Sequence, residues 1–169
     1  MTEWILALML ALSPASVTPW AASYPETARA IAKAATEEPL YGGAFARERT
    51  AATLVAVAFF ESTFKPGALG DKSTSVGRYQ INQSNFAALG ITKAQLLADP
   101  DVEVRAALRM MRDSFAICKG RRPEDWLAQF AAGHGTCTNA GGILASRRRM
   151  GLAMALWRDR AFREPPASN

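Results

Sequence analysis

The sequence predicts an α+β domain, mostly helical, with a small β-hairpin element beside a buried central helix. Three observations carry this expectation. Residues 47–60 contain Thr53-Leu54-Val55-Ala56-Val57-Ala58-Phe59-Phe60, apolar on every side and too long and Ala-rich for a strand. Such a run reads as a helix surrounded by protein. Residues 65–76 are rich in Gly, Pro, Ser and Asp, as a loop or small hairpin would be, and Val76 to Asn82 supplies a short strand. Everything downstream returns to helical spacing with helix-start signals.

In chain order, residues 4–12 form an apolar run, Trp4-Ile5-Leu6-Ala7-Leu8-Met9-Leu10-Ala11-Leu12. Its length suits the apolar region of a signal leader, and Ala21-Ala22 suits a cleavage site, but Glu3 and the lack of Lys or Arg before it argue the other way. Residues 1–22 are therefore either a signal-like leader or an apolar segment that packs on the domain or on a partner. Prolines 14, 19 and 25 mark a linker, after which Ser23, Pro25 and Glu26 spell a helix start with a Ser-x-x-Glu capping box. Pro39 and Gly42-Gly43 end that helix, and the central helix follows.

After the hairpin, Thr92 and Gln95 form a second capping box, and Asp99-Pro100 opens a long helix with the face Val104, Ala107, Leu108, Met111, Phe115 and Cys118. Pro123 opens a helix over 123–132 carrying Trp126, Leu127 and Phe130. A last helix presents Met150, Ala153, Met154 and Trp157. The domain is expected over 23–162, with 163–169 a flexible tail.

The 169 residues suit one domain with a real core, and 49% hydrophobic content excludes a disordered chain. No apolar run reaches the roughly 20 residues that span a bilayer. The net charge is +5, with basic clusters at Arg121-Arg122 and Arg147-Arg148-Arg149. These serve either solubility or attraction to an anionic polymer. No helix-turn-helix, zinc spacing or RNP-like motif favours nucleic acid, so none is expected as a partner. The spacing of Cys118 and Cys137 fits no usual metal site, and His134 is the only histidine, so neither metal nor cofactor is expected. The two cysteines would be free thiols in a reducing compartment, or a disulfide closing a short loop around 123–132 in an exported protein.

Glu61 lies where the central helix stops, in Phe59-Phe60-Glu61-Ser62-Thr63-Phe64-Lys65-Pro66. A lone carboxylate at the edge of an apolar element is poorly hydrated, which raises its pKa and suits a general acid for glycoside cleavage. Sixteen residues on comes Gly77-Arg78-Tyr79-Gln80-Ile81-Asn82. Glu-Ser, an aromatic, Pro66, Ala68 and then Gly-x-x-Gln-Ile resemble the core of soluble lytic transglycosylases and related lysozyme-fold muramidases, over about residues 50–135. The resemblance implies a lysozyme-like fold, peptidoglycan glycan strands as substrate, and Glu61 as a single acid and base that leaves a 1,6-anhydromuramoyl end. Phage tails, lysis cassettes and secretion machines use such small domains, so a delivery partner and a periplasmic, extracellular or virion-associated location are implied.

Lysozymes of the animal c-type carry Ser-Thr-Asp-Tyr-Gly-x-x-Gln-Ile-Asn in the hairpin; here the run is Ser73-Thr74-Ser75-Val76-Gly77-Arg78-Tyr79-Gln80-Ile81-Asn82. Ser75 takes the place of their second carboxylate. Asp71 is the candidate replacement, which would give a hydrolytic muramidase; as a residue following Gly70 it also reads as an ordinary turn position. The candidate substrate-binding residues are Ser62, Ser75, Tyr79, Gln80, Asn82 and Phe130. Ser62 either caps the helix or orients Glu61, Tyr79 either stacks on sugar or fills core, and Gln80 either bonds substrate or sits in an edge strand. Phe130-Ala131-Ala132-Gly133 is the best match to the family's Tyr-Asn-Ala-Gly, without its hydroxyl or its Asn. A non-catalytic peptidoglycan-binding module is the rival from another class.

Overall fold

The computed structural model describes residues 1–133 and 137–163, and the side chains of all of these except Asp71 and residues 160–163. The helices are α1 (Thr2–Leu12), α2 (Tyr24–Glu37), α3 (Ala46–Ser62), α4 (Phe86–Leu89), α5 (Lys93–Ala98), α6 (Pro100–Ile117), α7 (Ala128–Ala132) and α8 (Ala140–Arg163). Between α3 and α4 lie three two-residue strands, β1 (Leu69–Gly70), β2 (Ser75–Val76) and β3 (Ile81–Asn82). They form one antiparallel sheet in the order β1-β2-β3, with Leu69 opposite Val76 and Ser75 opposite Asn82. This is the expected mostly helical α+β architecture of lysozyme-like type.

Helix α3 is the centre. Every residue from Thr50 to Ala58 is buried, because α1, α2 and α8 all pack against it. Its two buried threonines return their hydroxyl hydrogens to the carbonyls of Ala46 and Arg49, one turn back, so a polar group in the core is left satisfied. Residues 1–22 contain α1, whose Ile5 and Met9 are wholly buried against α2 and α3. Burying two such side chains contributes roughly 1.5–3 kcal/mol each.

Four expectations are corrected. Ser23 does not make its capping box: a 3-10 turn over Ala21–Ser23 runs straight into α2, so Ser23 is already helical and its hydroxyl donates to the Trp20 carbonyl. Val76–Asn82 is two strands rather than one. Gly77 at φ +83° starts a turn that closes with the Gln80 amide donating to the Gly77 carbonyl at 3.2 Å. The helix over 123–132 is split into a 3-10 turn at Pro123–Asp125 and the short α7. Two hydroxyls interrupt its ladder: Ser146 accepts from the Leu127 amide, and Ser114 accepts from Phe130 while donating to the Trp126 carbonyl. Finally, of the expected face of α8, Met150, Ala153 and Trp157 pack against the core, but Met154 is exposed.

Other expectations hold. Thr92 and Gln95 make the capping box, and Asp99 caps α6 through the Asp101 amide. Cys118 and Cys137 form a disulfide with Cα atoms 5.5 Å apart, closing the loop that carries α7. His134 and residues 164–169 of the expected tail lie outside the described residues.

Candidate active site

Helix α3 ends in a turn that few residues adopt willingly. Thr63 and Phe64 both take left-handed backbone angles, φ +52° and +61°. For a β-branched residue this conformation is a strained one, costing of order 1–3 kcal/mol, and it persists only where surrounding structure holds it. Three contacts hold it here. The Thr63 and Phe64 amides donate to the Phe59 and Ala58 carbonyls, closing the helix. The Phe64 ring is wholly buried, 5.5 Å from Tyr24 and 5.9 Å from Phe59. Trp20 Nε1 donates to the Thr63 carbonyl at 2.9 Å. The direction of the last turn of α3, and so of Glu61, is fixed by these anchors.

Glu61 lines a cavity of about 270 Å3. Its walls come from the hairpin of β2, β3 and the turn between them (Ser75, Tyr79, Gln80, Asn82), from Asn85 and Met110, and from Phe130, Ala131, Ala132 and Gly133 at the end of α7. The structure thus brings Glu61, Ser75, Gln80, Asn82 and Phe130 together around one space. Ser75 is buried within it. Asp71 stands in the 3-10 turn between β1 and β2, and its side chain lies outside the described ones.

Other residues take different parts. The Ser62 hydroxyl donates to the Arg78 carbonyl at 2.8 Å, so it ties helix to hairpin. Tyr79 is wholly buried and belongs to the core, which leaves no ring face for stacking on a sugar. Burial, with the charge of Glu103 nearby, pushes its phenol far up the scale, so it stays neutral. Gln80 has φ +49°, and its amide nitrogen donates to the carbonyls of Gly77 at 2.8 Å and Ala68 at 3.2 Å. Its amide therefore locks the turn it sits in. Asn82 accepts from the Ser84 amide and caps the short turn after β3.

Two features escaped the sequence reading. The first lies beneath the hairpin. Glu103 accepts from the Arg78 amide and pairs with the Arg78 guanidinium at 2.6 Å, with both side chains buried. A Cβ on Gly77 would run into that Glu103 carboxylate, which is why the turn starts with glycine.

The second is Arg149. Its Nη2 donates to Glu61 Oε1 at 2.6 Å, with the two side chains only 11% and 16% exposed. The sequence predicted a lone, desolvated acid; the structure gives it a guanidinium partner. The basic run of α8 thus divides. Arg147 pairs with Asp125 and, chiefly through that hydrogen bond, holds its carboxyl below the usual carboxylate range; Arg148 is exposed; Arg149 reaches Glu61. A signal for this existed: 142, 146, 149, 153 and 156 fall on one helical stripe, and Gly142, Ser146 and Ala153 on it are small enough for close packing. Gly142 itself has no room for a Cβ, since the Ala128 carbonyl of α7 lies 2.5 Å from where one would be.

A larger cavity of about 500 Å3 lies beside α8, lined by aromatic and apolar residues including Tyr41, Trp126, Met150 and Trp157. Its one carboxylate is Glu124, within 4.0 Å of exposed Arg122, and it carries none of the residues the motif singled out. The chemistry points to the smaller, more polar cavity. Among the described residues no cluster of His, Cys, Asp and Glu is arranged to hold a metal ion.

The model of the transglycosylase SLT domain matches residues 44–148, from the start of α3 into α8. The chain belongs to the transglycosylase SLT family. It is a peptidoglycan-cleaving lytic transglycosylase, and it works on its substrate outside the cytoplasm. No curated protein and no solved structure matches the chain. The SLT match takes in Glu61, the sheet, Glu103 and the end of α7, and stops one residue short of Arg149. No described helix is long and apolar enough to cross a membrane.

Proposed function

We propose that Glu61 is the single acid and base of the reaction, cleaving the β-1,4 bond between N-acetylmuramate and N-acetylglucosamine. Protonated Glu61 gives its proton to the glycosidic oxygen as the bond to C1 of muramate breaks, and the electron pair leaves with that oxygen. The N-acetyl carbonyl of the same sugar supports the electron-poor C1. Glu61, now a carboxylate, takes the proton of the C6 hydroxyl as O6 closes on C1. The product carries a 1,6-anhydromuramoyl end, no water is consumed, and Glu61 is returned protonated.

The observation that carries this reading is that Glu61 is the one carboxylate among the described residues lining its cavity, which Ser75 also lines; by the sequence resemblance Ser75 takes the place of the second carboxylate. Without that carboxylate the substrate's own groups must do its work. Asn82 and Phe130 shape the cavity, and Gln80 holds its rim. The disulfide fits action in an oxidising compartment, periplasmic, extracellular or on a virion, reached with the help of a delivery partner.

Mass spectrometry of the soluble products from purified peptidoglycan tests this, with Glu61→Gln as control. Products lighter by one water than hydrolytic muropeptides, lost in the variant, are expected. Reducing-end products would replace transglycosylation by hydrolysis and bring Asp71 forward as the residue that places water.

A further inference from the structure

Arg149 is outside the span that the family model matches, yet it makes a direct contact with Glu61. It is a charged side chain on the inward stripe of α8, against small neighbours. Its guanidinium is largely withdrawn from water, and its Nε is buried without a hydrogen-bond partner among the described residues. A cation so placed is expensive to bury, and the Glu61 carboxylate is what offsets it.

We propose that Arg149 is a positioning residue for Glu61: it aims the carboxyl and stabilises the carboxylate left after proton donation, and so confines turnover to the acid side of neutrality. This rests on the reading of Glu61 as acid and base.

Among the described residues that line the cavity, Glu61 is the one charged side chain. From the hairpin around it come Tyr79, a neutral phenol, and Arg78, whose charge is met by Glu103. From the end of α7 come Phe130, Ala131 and Ala132, and from α6 Met110, none of them charged. Asp71's side chain and His134 lie outside the described ones.

The sign follows from the order of proton transfers. The first step needs protonated Glu61, so the rate falls where Glu61 loses its proton. A guanidinium at hydrogen-bonding distance favours the carboxylate and brings that fall to lower pH. The same charge stabilises the carboxylate as it forms, which raises the rate below that limb.

The test is the pH profile of turnover on purified peptidoglycan for wild type, Arg149→Gln, Arg149→Lys and Glu61→Gln. Arg149→Gln is expected to lower the plateau and to move the alkaline limb up by about 1–3 pH units. Arg149→Lys keeps the charge and is expected to hold the limb near wild type, with a lower plateau because lysine lacks the planar fork. An alkaline limb in Arg149→Gln that coincides with wild type overturns the proposal, while leaving the role of Glu61 intact. Turnover retained in Glu61→Gln is the separate result that removes the acid–base reading itself.

If Arg149→Gln does not fold, Arg149→Met, which keeps an apolar stem and loses the charge, takes its place. The same upward movement of the alkaline limb is expected, and a limb that coincides with wild type overturns the proposal.

Discussion

Two glutamate–arginine pairs stand on either side of the hairpin, and they have different consequences. Glu103 and Arg78 are sealed beneath it, 1% and 6% exposed, and Glu103 also accepts the Arg78 amide. Glu61 and Arg149 stand at the cavity, each with a small part of its surface open. The Ser62 hydroxyl joins the two regions through the Arg78 carbonyl. Burial pushes the Glu103 carboxyl up from its ordinary range, against the pull of Arg78. A pair sealed like this adds little net stability; what it fixes is where the hairpin sits. The pair at the cavity is reachable by substrate, so its charge can change during a reaction. The chemistry of the two pairs is the same, and access to the cavity separates scaffold from site.

Breaking the pair at the cavity has the largest expected effect, on activity. Glu61→Gln keeps the shape and removes the proton donor. A loss of about 10²–10⁴-fold in kcat is expected, the range that a positioned acid or base contributes. Turnover on purified peptidoglycan, beside a melting curve showing a folded protein, measures it. Wild-type turnover in the variant would mean that the pair at the cavity is as structural as the sealed one, and the comparison would collapse.

Breaking the buried pair should act on stability instead. Glu103→Gln leaves the Arg78 charge sealed without a counter-charge, and removal of one partner from such a pair costs about 3–5 kcal/mol. Urea denaturation checks this, with the fraction folded used to correct activity. The hairpin strands are two residues each and have little pairing of their own, so the activity per folded molecule is also expected to fall as Ser75 and Gln80 move. A loss under 1 kcal/mol would mean that water or a shifted side chain replaces Glu103.

How far these roles were legible in the sequence follows from the kind of information each needs. The central helix was readable because an all-round apolar run has one folded use, and Glu61 because it breaks that run next to a recognisable motif. The capping box at Thr92 was readable because both partners are local. The one expected at Ser23 failed because a preceding turn, not the capping residue itself, set its backbone. Glu103 and Arg149 were missed because their partners are 25 and 88 residues away, and a residue's own neighbours say nothing about such a partner. Arg149 was further hidden inside Arg147-Arg148-Arg149, where a run of like charge looks uniform although helical spacing sends each member elsewhere.

The disulfide sharpens the contrast from the cavity side. Cys118 ends α6 and Cys137 precedes α8, so the bond closes the loop that holds Phe130 to Gly133 against Glu61. Replacing both cysteines with serine is expected to cost ~3 kcal/mol, from a loop of this length in the unfolded chain. Denaturant melts of the oxidised protein and the double variant measure it. The Glu103 pair lies outside this loop, so the cost of Glu103→Gln is expected to be the same with or without the disulfide, within about 0.5 kcal/mol.

The smallest effect tests whether the strained end of α3 is part of the site or only next to it. Trp20→Phe keeps an aromatic ring, smaller than the indole, and removes the hydrogen bond from Nε1 to the Thr63 carbonyl. The stability cost is expected to be at least the net worth of one such bond, about 0.5–1.5 kcal/mol, plus the packing of the lost part of the indole. If that bond helps to aim the last turn of α3, kcat falls while KM changes little, because the substrate still finds the same cavity and meets a worse-placed acid. An unchanged kcat alongside the stability loss would assign the aiming of Glu61 to Phe64 and Arg149 alone. The pair at the cavity would then be held from two directions: the buried ring behind it and the guanidinium beside it.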